Sequence, residues 1–301
     1  MMRASHLTNN AVLLLTLTTL IWGSNAVAGK LAVGHISPFL LTSARWTGAT
    51  LVLLVIARRE LPRDWPVIRA HLPYLFLMGA LGFAAFNGLL YTSLKFTTAI
   101  NVTILQAGMP MFIFAFNFIV FRTRLQWAQT VGYALTLLGV MLTALAGDLS
   151  ALAELAINRG DLIMLVAVVV YAAYSVALRA KPQMHWLSFL TVLVISAAFT
   201  SIFMAGYEAT TEDFIWPTTV TGWSLAVYTA ILPSIIAQGC YIRGIELLGG
   251  NKASLFLNLV PIFGSMLSVL LLGEAFYTYH AIALALVIGG IVFAQLLSRP
   301  A

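Results

Sequence analysis

Charge is what this chain has least of. Only 9% of its 301 residues are Asp, Glu, Lys or Arg, whereas a soluble domain carries about a quarter. That is too little to cover a globule in water. With 61% apolar residues and a mean hydropathy of +0.96, the composition is that of an integral membrane protein. Cysteine is nearly absent too. Cys240 alone excludes an internal disulfide and any multi-cysteine metal site. There is no P-loop and no H-E-x-x-H motif. The five histidines (His6, His35, His71, His185, His280) scatter over different segments, and no span carries Asp or Glu near its centre. A membrane-embedded enzyme would need such groups clustered at one face, and proton-coupled carriers usually rely on a carboxylate relay. The sequence therefore predicts no enzyme, no cofactor, no metal and no tight proton coupling.

What the chain does have is long apolar runs. A helix needs about 20 apolar residues to cross a bilayer, and ten segments qualify: 11–33, 37–57, 71–94, 99–121, 127–146, 161–180, 186–206, 222–247, 253–272 and 278–297. Ala26-Val27-Ala28 resembles a signal-peptidase site. The segment also takes part in the internal repeat described below, so it is expected to stay as the first span. The +6 net charge is a topology signal rather than a nucleic-acid footprint. With the N-terminus inside, Arg3, Arg58, Arg59, Arg63, Arg69, Arg122, Arg124, Arg179, Lys181, Arg243, Lys252 and Arg299 fall on the inner side. Only Lys30, Lys95 and Arg159 fall outside, and Arg45 lies within a span. The positive-inside rule then places both termini in the cytoplasm of a bacterial-type inner membrane.

The two halves of the chain resemble each other. At an offset of 151, Gly82 meets Pro233, Asn87 meets Gln238, Gly88 meets Gly239, Pro110 meets Pro261, Phe112 meets Phe263 and Gly139 meets Gly290. At an offset of 149, Trp22 meets Tyr171, Asn25 meets Tyr174 and Lys30 meets Arg179. Five spans per half is an odd number, so the halves (1–147 and 148–301) must be inverted relative to one another. Inverted repeats with interrupted helices place a binding site between the halves near mid-bilayer. The breakers Gly82, Pro110, Pro233 and Pro261 then read as matched hinges that bend two facing walls.

Candidate binding residues follow from helical spacing. Trp22 with Asn25, Asn87 with Tyr91, Tyr171 with Tyr174, and Gln238 with Tyr241 each put a ring beside a polar group on one face. An amide in lipid lacks partners, so these faces should look into protein or a wet cavity. Asn101, Gln106 and Asn258 join the set, although their faces are less defined. Trp65, Trp127, Trp186, Trp216 and Trp223 fall at segment ends, as interfacial aromatics do. Arg45 must face inward, either to pair with a substrate carboxylate or to act as a structural donor at a bend.

Several stretches carry a family resemblance. Residues 249–293 (GGNKASLFLNLVPIFGSMLSVLLLGEAFYTYHAIALALVIGGIVF) resemble the EamA domain of the drug/metabolite transporters, through Gly250, Ala253-Ser254, Pro261, Gly273-Glu274 and Gly290. LIWGSNAVAGK (20–30) and SPFLLTSARW (37–46) are similar to that family's first two spans. The first half departs from it, with FRTR at 121–124 where Gly-Glu is expected. The resemblance implies an all-α integral membrane protein of ten helices with both termini inside, exporting amino acids or related metabolites. The aromatic-rich spans look most like exporters of aromatic amino acids and methionine. A broad-specificity drug/metabolite efflux carrier, a channel and an enzyme are the alternatives. The implied partners are a small-molecule substrate and the bilayer, with no nucleic acid, and a monomer suffices.

Reporter fusions after residues 64 and 124 should read cytoplasmic, and fusions near 96 and 213 external. A cytoplasmic reading at 213 would overturn the ten-span topology.

Overall fold

The computed structural model describes residues 10–122, 127–148, 158–249, 253 and 256–296. Arg3, Arg124, Gly250, Lys252, Ser254 and Arg299, used in the sequence argument, lie outside these residues. All regular structure among the described residues is helical. Ala11–Ala32 (α1) starts on Asn10, whose side chain accepts from Leu13 N at 3.1 Å, an N-cap. Pro38–Ile56 (α2) opens with proline in its first turn, where the missing N–H costs nothing. A short amphipathic helix, Glu60–Ala70 (α3), follows.

Leu72–Gly79 (α4) and Phe86–Ser93 (α5) are joined by a π turn over Ala80–Ala85. Ala99–Ala107 (α6) and Met109–Phe121 (α7) form the next apolar run, interrupted at Gly108. Trp127–Ala144 (α8), Arg159–Ala177 (α9) and Trp186–Glu208 (α10) are continuous. Val220–Ile231 (α11) and Ala237–Leu248 (α12) are joined by a second π turn over Leu232–Ile236. Leu259–Leu272 (α13) and Thr278–Leu296 (α14) complete the order. Among the described residues eight helical runs are long and apolar enough to span a membrane, and α13 and α14 are further apolar helices where the last two segments were expected. Large side chains such as Leu51, Val55, Phe203, Val220 and Leu270 stay exposed around the bundle. Lipid satisfies them in a membrane protein, whereas in water such a surface would aggregate.

The two π turns fall on the residues paired by the repeat. Gly82 lies in the first and Pro233 in the second. The prolines 110 and 261 behave differently from the expected mid-helix bend. Each sits in the first turn of its helical piece, Pro110 in α7 after the break at Gly108 and Pro261 in α13 after Asn258. Proline fits there because the first-turn N–H has no partner inside the helix.

Helices from the two halves interlock. α1 packs on α12 and α13, while α9 packs on α5, α6 and α7; α2 packs on α10. α8 and α14 are in closest approach. A Cβ on Gly290 would lie 2.3 Å from the Gly132 carbonyl oxygen, and one on Gly139 would lie 2.8 Å from that of Ala283. Thr136 Oγ1 sits between, 3.0 Å from the Gly132 oxygen and 3.5 Å from that of Val287. Without a hydrophobic drive between helices in lipid, such backbone approach is how membrane helices associate.

Loop contacts define the two ends of the bundle. At one end Ser37 N bonds the Ile215 carbonyl (3.1 Å), Lys30 Nζ bonds the Leu94 and Thr97 carbonyls (2.9 and 2.7 Å), and Lys95 pairs with Asp213 (3.1 Å). Two carboxylates cap helices at this same end. Glu208 accepts from Phe39 N and Leu40 N of α2, and Glu274 from Ala99 N and Ile100 N of α6. Anionic caps suit the positive ends of helix dipoles. The other end holds the His185 N–H on Asp64 and the Tyr74 hydroxyl on the Ala177 carbonyl.

The packing yields a paired test at adjacent glycines. Gly290→Ala should destabilise the protein by about 1–3 kcal/mol through overpacking, whereas Gly289→Ala meets nothing within 4 Å and should not. Thermal unfolding in detergent distinguishes them; equal midpoints would refute the close α8–α14 contact.

Candidate functional site

Arg45 is 5% exposed and gathers four apolar runs around one guanidinium. From α2 its Nη1 donates to Asn25 Oδ1 on α1 (3.1 Å) and to Asn87 Oδ1 (2.7 Å) and Tyr91 Oη (2.7 Å) on α5. Nε donates to Ser234 Oγ in the second π turn at 2.7 Å. Tyr91 in turn donates to Asn25 Oδ1 (2.9 Å), and Asn87 Nδ2 to the Phe83 carbonyl (2.9 Å). The cation lies 4.6 Å from the Trp46 ring centroid. Buried charge is tolerated only when hydrogen-bonded in this way.

The π turn makes Ser234 available. Pro233 cannot donate to the Thr229 carbonyl four residues back, and Ser234 Oγ donates to that carbonyl instead, at 2.8 Å. Trp22 Nε1 reaches the Pro233 carbonyl at 3.2 Å. Proline, serine and tryptophan thus form one local solution to a broken helix.

Aromatic rings continue from the arginine. Trp46 stacks on Phe83 at 4.9 Å and 14°, Phe83 meets Tyr174 at 5.9 Å, Tyr174 meets Tyr171 at 5.2 Å, and Tyr171 meets Phe86 at 4.8 Å. Gly82 permits this series, because a Cβ there would stand 2.3 Å from the Tyr174 ring. A second group joins Trp22 to Tyr241 at 5.2 Å, with Ser24 hydrogen-bonded to the Tyr228 hydroxyl.

The structure sorts the expected residues. Asn25, Asn87 and Tyr91 come together, but they face Arg45 rather than open space. Of the two roles considered for Arg45, structural donation is present, to side chains rather than to backbone carbonyls. Trp22, Tyr171, Tyr174 and Tyr241 lie in the two ring groups. Gln106, Gln238 and Asn258 are half-buried and make no side-chain hydrogen bond among the described residues.

Of one further cluster the sequence argument reached only Asn101. Asp161 is 1% exposed in the first turn of α9, where it accepts from Thr97 Oγ1 (2.6 Å) and from Asn101 Nδ2 (3.2 Å). Asn101 Oδ1 meets His280 Nε2 at 3.1 Å, and His280 Nδ1 accepts from Tyr277 N at 3.0 Å, which places the imidazole proton on Nε2. Asp161 is the first residue of the expected 161–180 segment, so counting charges at span centres could not find it. Among the described residues no group of three or more His, Cys, Asp or Glu is placed to hold a metal.

Comparison with known proteins settles the family. The profile of the EamA-like transporter family matches twice, over residues 9–145 and 158–296. The chain belongs to the EamA-like transporter family. It is 28% identical over 275 residues to the uncharacterized transporter YetK of Bacillus subtilis, covering 90% of this chain and 82% of that one. It is 25% identical to a probable terminal-alkyne amino-acid exporter of Streptantibioticus cattleyicolor, covering 88% and 86%. A solved crystal structure, 25% identical, superposes with a TM-score of 0.65 over 96% of this chain and 97% of that one. This EamA protein is therefore a multi-pass membrane transporter built of two family repeats.

Ser234→Ala removes the acceptor of a buried guanidinium N–H. It should cost about 1–3 kcal/mol. Ser175→Ala should be near neutral, because Ser175 bonds only the Tyr171 carbonyl of its own helix. Equal losses in detergent melting would show that the Arg45 network does not hold the bundle.

Proposed function

We propose that this chain is an alternating-access carrier or facilitator in a bacterial-type inner membrane. It exports small metabolites, foremost aromatic amino acids and methionine. The observation that carries this reading is the ring series Trp46–Phe83–Tyr174–Tyr171–Phe86, which runs across elements of both repeats. Rings receive an aromatic or thioether side chain, while the half-buried Gln106, Gln238 and Asn258 offer donors and acceptors to a zwitterion. Trp22 and Tyr241 line the same interface, with Asn25, Asn87 and Tyr91 behind Arg45. The kinship with a probable amino-acid exporter points the same way.

The repeats are 1–147 and 148–301, ten helices related by inversion with both termini cytoplasmic. The contact of α8 with α14 supports this. An offset of 151 converts the pair Gly132–Gly290 into Ala283–Gly139, which is also a contact, and maps Thr136–Val287 onto itself. Only an axis through that crossing has this effect. The end holding Ser37, Lys95 and Asp213 would be the outer one, and its caps and ion pair close it. Opening that end while the other closes exchanges the two states around a fixed site. The π turns at Gly82 and Pro233, with the breaks before Pro110 and Pro261, are the hinges of that motion.

Purified protein in liposomes tests the selectivity. Phenylalanine and methionine should exchange in counterflow faster than glutamate or lysine, and saturably. Equal rates for all four would overturn the aromatic selectivity; unsaturable flux would favour a pore.

A further inference from the structure

The ring series accounts for an apolar side chain and neutral amides for hydrogen bonds, but neither supplies a counter-charge to a carboxylate. The Arg45 guanidinium has five N–H donors. Nε serves Ser234, and the two protons of Nη1 serve three acceptors. Nη2 makes no hydrogen bond among the described residues. Nor is Nη2 fully sealed by the surrounding protein.

The charge balance is equally incomplete. The ion pairs among the described residues are Glu60–Arg63, Lys95–Asp213 and Arg243–Glu246. None involves Arg45, whose neighbours are neutral oxygens and the Trp46 ring. A second orphan donor lies beside it: Trp46 is 2% exposed and its Nε1–H has no acceptor among the described residues. Unpaired donors around a buried cation call for an anion.

We propose that the Nη2 edge of Arg45 is a receptor for the carboxylate of the transported molecule. The inference rests on the carrier reading above and names the group that orients the cargo. A carboxylate bridges Nε and Nη2 side-on through two parallel hydrogen bonds. Ser234 Oγ now holds Nε, so an arriving carboxylate competes with the second π turn for the guanidinium. Ser234 keeps its own bond to the Thr229 carbonyl when displaced. The bound carboxylate neutralises Arg45, and the remainder of the molecule lies along the rings that begin at Trp46. Anion arrival and release of the π turn are then one event.

Two ring compounds of similar size separate this from aromatic stacking alone. 3-Phenylpropanoate has the carboxylate without an ammonium group, and phenethylamine the ammonium without a carboxylate. In melting curves of the purified protein, 3-phenylpropanoate should raise the midpoint, with a half-maximal concentration at least about tenfold below that of phenethylamine, a difference of one bidentate contact. Arg45→Lys should keep a weakened preference, and Arg45→Gln should lose it. Equal shifts by the two compounds, a preference for phenethylamine, or no shift by either would overturn the carboxylate receptor. A folded Arg45→Gln protein that kept the preference would do the same. If Arg45→Gln does not fold, the two compounds on the unaltered protein decide. Labelled phenylalanine counterflow is measured in parallel. A shift by 3-phenylpropanoate without any counterflow would overturn the carrier reading and leave the receptor standing.

Discussion

One guanidinium holds four apolar runs of this protein at a single point. In lipid there is no hydrophobic drive to press helices together, so association relies on packing and interhelical hydrogen bonds. Arg45 supplies four of these from one side chain, to Asn25, Asn87, Tyr91 and Ser234. Removing a partner would strand a charge in a region where water is scarce, a cost well above that of an ordinary bond. The positions of α1, α2, α5 and the second π turn are therefore set together. The stacking of Trp46 and Phe83 follows, because the ring that faces the cation also begins the aromatic series.

The bundle combines rigid and yielding elements in a defined pattern. The α8–α14 crossing, where backbones nearly touch, has no slack for side chains to absorb. The π turns and the break at Gly108 are places where helical hydrogen bonding has already been exchanged for other partners. At the second π turn side chains replace part of the regular ladder: Ser234 serves the Thr229 carbonyl of α11, and Trp22 the Pro233 carbonyl. Motion concentrated at such turns leaves the packed crossing intact. The carrier proposed above would make that mechanical demand on its halves.

The expected apolar segments were legible because the bilayer imposes a length on each span, and ten runs of suitable length can be counted by eye. The break sites were legible in part. Gly82 and Pro233 could be paired by their spacing, and both fall in π turns. The prolines 110 and 261 were read as kinks, because nothing in a linear pattern separates a proline that bends a helix from one that begins it. The candidate site was harder. Asn25, Asn87 and Tyr91 were correctly placed on inward faces, but their common partner lies on another helix. Spacing along one helix reveals which residues share a face, not which charge that face meets. Asp161 was overlooked for a related reason: its depth depends on how α6 and α14 cover the start of α9.

The sequence by itself determined the class of the protein, where its long apolar runs lie, and its duplication. These are set by local composition, which a solvent of one dielectric reads residue by residue. Only the tertiary structure decided which polar groups are already occupied. Asn25, Asn87 and Tyr91 are taken by Arg45, while Gln106, Gln238 and Asn258 make no side-chain hydrogen bond among the described residues. Hydrogen bonds between helices are short-ranged and directional. They exist only once residues dozens to hundreds of positions apart are brought within about 3 Å, and no periodicity along the chain encodes that approach.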